Sequence, residues 1–193
     1  ALAPVQRQPA VDIAARLGVF SNAALVDFYS QLAADGDTPT EIADRIDALR
    51  TAYTGATVGA RIGAMQTWWQ DGARPDYVGL IATARAAAAL PVAQADARDA
   101  ANLVAAMMTA GYDRNAARWA RALGQINGDG AAQFWGLLAA GAPSPVVDIN
   151  EGRITGYIGE AGPQKGRMLI AALAGLARLS ANDMASLARD NGV

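Results

Sequence analysis

Three features of the sequence predict an all-α chain: hydrophobic residues at helical spacing, an alanine share of about a quarter (47 of 193 residues), and turn residues about every 15 to 20 positions. Helices of this length joined by short connections pack as antiparallel hairpins, here either a short right-handed α-solenoid or an irregular bundle. We expect a single all-helical domain over residues 1–193 with about nine helices, an extended segment at 1–10 and a non-helical insertion at 143–163. A hydrophobic fraction of 52% is ample for a buried core.

A short helix is expected first, at residues 11–17. In the next, Leu25, Phe28, Tyr29 and Leu32 fall at i, i+3, i+4 and i+7 and form one apolar stripe, which Asp35-Gly36-Asp37 ends. Thr38-Pro39-Thr40-Glu41 reads as a capping box with proline at the first helical position, opening a helix striped by Ile42, Ile46, Leu49 and Tyr53. The following helix, 57–70, carries Val58, Ile62, Met65 and Trp69, with Asp71-Gly72 after it. Pro75 opens another, with Tyr77, Val78, Ile81 and an alanine tract, and Leu90-Pro91 closes it because the residue before proline avoids the helical region.

Residues 96–110 put Leu103, Val104, Met107 and Met108 on one side, and Gly111 reads as a C-terminal cap. Asp113 starts a helix running to 123. Phe134, Leu137 and Leu138 mark the next, at 131–140. Two more follow at 164–179 and 182–190, the second capped by Ser180 with Asp183 three residues on. The stretch from Met168 is apolar nearly all round and predicts the most central helix. Between 144 and 162 the chain is poor in alanine and rich in β-branched residues. Asn150-Glu151-Gly152 there lies between two short apolar runs and predicts a β-hairpin-like insertion.

One segment carries a family resemblance. Leu103, the Gly111-Tyr112-Asp113 turn, and then Trp119, Ala122 and Leu123 resemble one tetratricopeptide-type unit over 103–123. The pattern departs at three points: a residue is missing at the turn, the small residue Ala116 arrives one place late, and no proline follows Leu123. The resemblance implies a helical-hairpin scaffold that binds proteins or peptides on a concave face.

Composition excludes much chemistry. With no His and no Cys there is no disulfide, no zinc site of the N/S type, no thiolate nucleophile and no Ser-His-Asp machine. A net charge of −2, from 18 acidic and 16 basic groups, lacks the basic excess that phosphate-backbone binding needs, so nucleic acid is not an expected partner. The longest apolar run, 168–177, is ten residues, against about 20 for a membrane span. Gly152, Gly156, Gly159 and Gly162 match no phosphate-binding or dinucleotide fingerprint. No metal and no cofactor is expected. The opening Ala1-Leu2-Ala3 has the small-x-small pattern of a signal cleavage site, pointing to a periplasmic or secreted location, with the cytoplasm as the alternative.

The candidate site residues are few. Glu151 and Glu160 flank the insertion beside Asp148, Arg153 and Tyr157. Paired carboxylates there are the one route to acid-base catalysis, as in glycan hydrolysis, although loop carboxylates beside glycine are more often turn formers. Trp68 and Trp135 are offset from their helices' stripes and are, with Tyr157, the aromatic candidates for binding. Arg114, Arg118 and Arg121 at i, i+4 and i+7 make the one basic stripe, suited to an acidic partner or to solvent. Lys165-Gly166-Arg167 opens a helix whose N-terminus suits an anion. These readings favour a non-enzymatic helical scaffold or protein/peptide interaction module within a larger envelope or secreted protein. The alternatives are a carboxylate-dependent enzyme acting on glycan and an apolar-ligand carrier.

Overall fold

The computed structural model describes residues 3–34, 38–70, 75–93 and 95–192. The turns expected at Asp35-Gly36-Asp37 and Asp71-Gly72, and the Ala1-Leu2 start, lie outside them. The fold is all-α: eleven α-helices and one 3-10 turn, packed on their neighbours, with no strand among the described residues. The chain divides into two compact units. Unit 1 is Ala1–Pro91 with Ala105–Tyr112, and unit 2 is Val92–Val104 with Asp113–Val193.

Unit 1 contains α1 (Pro4–Arg16), α2 (Asn22–Ala34), α3 (Thr40–Thr54), α4 (Val58–Trp69) and α5 (Tyr77–Ala88), and takes in the C-terminal end of α6 (Ala97–Thr109). The extended N-terminal segment expected at 1–10 is instead helical from Pro4. Proline at the first helical position lacks only an N–H that would have no partner there, and the Gln6 Oε1 accepts from Ala3 N at 3.1 Å. The capping box expected at Thr38 does not form. Pro39 is the N-cap and the Thr38 hydroxyl donates to the Leu32 carbonyl at 2.8 Å. Thr57 caps α4 by accepting from Ala60 N, and Asp76 caps α5 by accepting from Val78 N. Gly111, at φ 74°, ends α6 in a Schellman arrangement in which Tyr112 N donates to the Met107 carbonyl at 2.9 Å.

The central helix of unit 1 is α5, buried from Val78 to Ala87 save Arg85. Its small side chains admit neighbours on every side, and at Gly79 the backbone lies so close to the Trp68 carbonyl that a Cβ would collide with it. Around it α3 packs most extensively on α4, and α2 on α5.

Unit 2 contains α7 (Asp113–Ala117), the 3-10 turn Arg118–Ala122, α8 (Ala131–Gly141), α9 (Glu151–Ala161), α10 (Pro163–Gly175) and α11 (Ala181–Asn191). Its core gathers Trp135, Ile154, Leu169, Ile170, Leu173 and Leu187. The β-hairpin-like insertion expected at 144–162 is overturned by α9; of the insertion expected at 143–163, residues 143–150 are non-helical and 151–161 are helix. Asn150 is the N-cap, accepting from Arg153 N at 3.0 Å, and Ile154, Tyr157 and Ile158 fall at helical spacing against the core. The segment matching the second tetratricopeptide helix is five residues of α-helix that tighten into the 3-10 turn. Helix α10 is not buried all round: Leu169, Ile170 and Leu173 face inward, while Met168 is 67% and Leu176 48% exposed. Ser180 caps α11 with Asp183 as expected.

Candidate binding cleft

Of the residues singled out from the sequence, Trp68, Trp135, Tyr157 and Glu160 have partners within the fold, and the other charged candidates are exposed. Trp68 and Trp135 are each 1% exposed, so neither offers a surface. The Trp68 indole donates to the Arg45 carbonyl at 2.7 Å and its ring meets Tyr29 edge-on, and the Trp135 indole donates to the Asp148 carbonyl at 3.0 Å. Tyr157 is half-buried over Gly136, where a Cβ would come within 2.5 Å of the ring. Burial, and then the nearby Glu160 carboxylate, push its phenol up from the ordinary value. Glu160 reaches from α9 to the amides that open α8, accepting from Ala132 N at 3.3 Å and Gln133 N at 3.2 Å. That is a helix cap, with the carboxylate on the positive end of the dipole. Glu151 is exposed in the first turn of α9. Arg114, Arg118 and Arg121 are all exposed. Gly166 of the expected anion site is buried against Ile158, and Lys165 and Arg167 are exposed. No group of three or more acidic residues fit to hold a metal ion occurs among the described residues.

In unit 1 the fold assembles a polar network that no spacing in the sequence announces. The Asp76 carboxylate, besides capping α5, accepts from Arg16 at 2.7 Å and from Arg45 at 3.3 Å. The Arg45 guanidinium lies 4.3 Å from the centre of the Trp68 ring, a cation–π contact. Across the same region Tyr29 donates to Asp12 at 2.8 Å, and Gln8 donates to both Asp12, at 2.5 Å, and the Tyr29 oxygen, at 3.2 Å. Burial holds the Asp12 carboxyl above its ordinary range, although the bonds from Tyr29 and Gln8 and the charge on Arg45 oppose it. Burial and the Asp12 charge likewise raise the Tyr29 phenol. The members come from α1, α2, α3, α4 and the α5 cap, so the network holds five helices in register.

Tyr29 is also where this network meets a cleft. Because α2 packs chiefly on α5 and α3 chiefly on α4, the two consecutive helices leave between them an open space of about 320 Å³. From α2 it is lined by Val26, Tyr29, Ser30 and Ala33, and from α3 by Ile46, Leu49, Arg50, Tyr53 and Thr54. Both sets follow the i, i+3, i+4, i+7 rhythm, so two helix faces look onto one groove. Its hydroxyls are all engaged within the protein. Ser30 donates to the Val26 carbonyl at 2.8 Å, Thr54 to Arg50 at 2.8 Å, Tyr53 to Ala82 at 3.2 Å and Tyr29 to Asp12. Burial also raises the Tyr53 phenol. What the groove presents is apolar surface with one charged side chain, Arg50, on its rim, paired with exposed Asp47 at 2.7 Å.

A second cleft of about 320 Å³ in unit 1 is lined by Phe20, Tyr77 and Tyr112 beside Asn22 and Ile81. The sequence flagged neither cleft. The stripes that do line the first, such as Ile46-Leu49-Tyr53, read there as core. No protein-family model matches the chain, and comparison with curated proteins and with solved structures gives no match either.

Proposed function

We propose that the protein is a non-enzymatic helical interaction module, its hairpins of the tetratricopeptide-like kind, and that it receives a peptide segment of a partner protein in the α2–α3 cleft of unit 1. The observation that supports this is the cleft itself: two helix faces in matching rhythm, apolar between them, with every hydroxyl already bonded inside. Of the carboxylates suited to acid-base chemistry, Glu160 is engaged at the α8 amides and Asp76 at the α5 N-terminus, while Glu151 stands exposed in the first turn of α9.

The test uses Ala33→Phe, which fills the cleft from an exposed position on its wall and removes no core contact. A displayed library of random 12-residue peptides is selected on the 193-residue chain, and the clones are measured against both forms. We expect clones whose binding falls at least tenfold on Ala33→Phe. If every selected clone binds both forms equally, the cleft is not the site.

A further inference from the structure

The chemistry of the same groove identifies the form its occupant takes, an inference that rests on the reading above. We propose that the α2–α3 cleft takes an amphipathic α-helix bearing a carboxylate that faces Arg50. Three observations lead there.

The groove is open and follows α2 over residues 26–33 and α3 over 46–54, about two helical turns of each, or roughly 10 to 12 Å. Small-molecule sites enclose most of their ligand, whereas an open trough between two helices is the shape that a third helix fills with its i, i+4 and i+7 side chains.

The groove offers an incoming backbone few partners: its hydroxyl protons are used within the protein, and Arg50 is the one lining side chain with donors left. Its own backbone groups belong to helices, and its four hydroxyls donate to Val26, Arg50, Ala82 and Asp12. An extended segment laid there would lose water from a row of N–H and C=O groups and find partners for few of them. A helix satisfies those groups within itself, so it can dry one face without that cost.

The one lining group with donors to spare is Arg50. A guanidinium carries five N–H donors, and the bond to Asp47 engages one of its nitrogens. Both members of that pair are well exposed, at 63% and 71% of their side chains, and an exposed pair contributes little, so Arg50 can exchange Asp47 for a partner's carboxylate readily. No acidic side chain lines the groove to oppose this.

The experiment is calorimetric titration of the 193-residue chain with four synthetic 14-residue alanine-based peptides. The first has leucines at i, i+4 and i+7 with Glu placed toward Arg50. The second replaces that Glu by Gln, the third has proline at two central positions, and the fourth has its leucines replaced by Ser. The inference expects the first peptide to bind and the third and fourth to fail. It also expects a loss of about three- to fivefold for the Gln peptide and for Arg50→Gln, and this difference should vanish in high salt. Ala33→Phe should abolish binding. Equal affinity of the Glu and Gln peptides overturns the carboxylate, and equal affinity of the proline peptide overturns the helix. Both results leave the cleft standing as the site. If none of the four binds while the random library yields clones sensitive to Ala33→Phe, the helical occupant is wrong and the cleft reading survives. If the library also yields none, both fall.

Discussion

Removing the Asp76 carboxylate tests whether the polar network holds unit 1 together. In Asp76→Ala three interactions go at once. The bond to Val78 N, which caps α5 at 3.2 Å, contributes about 1 kcal/mol. The pair with Arg16, whose side chain is 48% exposed, contributes about 0.5 kcal/mol. The pair with Arg45 counts for more, because side chains only 30% and 12% exposed meet there, and its loss leaves the guanidinium over the Trp68 ring without its bonded carboxylate. For partners not fully buried we take about 1.5 kcal/mol, below the range for a wholly buried pair. The total is about 3 kcal/mol. Asp76→Asn keeps an oxygen for the cap and loses the charge, so it should cost about 2 kcal/mol. With a urea slope of about 2 kcal/mol per molar, the unfolding midpoint should fall by about 1.5 M for Ala and about 1 M for Asn. Tryptophan emission reports it, since Trp68 and Trp69 lie in this unit. A fall below about 0.3 M for the alanine variant would refute the network's role, and identical midpoints for the two variants would refute the cap.

Asp12 should behave in the opposite sense. A carboxyl raised in the folded state binds its proton more tightly there than in the unfolded chain, so its contribution to stability grows as pH falls through the raised value and is complete below the ordinary carboxylate range. Asp12→Asn is therefore expected to melt higher than the parent at pH 7 and no higher near pH 3.5, and a lower melting temperature at pH 7 would reverse the assignment. Gly79→Ala drives a methyl into the Trp68 carbonyl and should cost at least about 2 kcal/mol. Gly63→Ala, on the open face of α4, should stabilise by about 0.5 to 1 kcal/mol, and chemical denaturation of the pair checks both signs. Glu160→Ala frees two amides of α8 and should cost about 1 kcal/mol, with Glu160→Gln recovering about half, read from urea midpoints.

What the sequence made legible is what short range decides. Gly111 and Ser180 act on amides or carbonyls within a few residues, so their roles follow from spacing alone. Asn150 shows the limit. Asparagine two residues before a glycine suits a hairpin turn and a helix N-cap equally, and the choice was made by Ile154, Tyr157 and Ile158 meeting a core supplied by α8 and α10. The site was less legible than the fold. Glu160 lies 28 residues from the amide of Ala132 and Asp76 lies 60 from Arg16, so neither role has a local signature. The α2–α3 groove arises because each helix packs best on a different partner, a preference that no periodicity records.

Helix α8 depends on chain that comes after it. Gly130 gives it no side-chain cap, and its first amides are met by Glu160 from α9. At the other end the Arg178 guanidinium donates to the carbonyls of Ala139 and Ala142, so each pole of its dipole meets a charge of the opposite sign. A ribosome delivers those charges late, the second 39 residues after the carbonyl it serves. At about 5 to 20 residues per second, α8 then waits for some seconds with both ends open to water. A nascent chain arrested before residue 178 is expected to leave the carbonyls of Ala139 and Ala142 without the guanidinium that meets them in the fold.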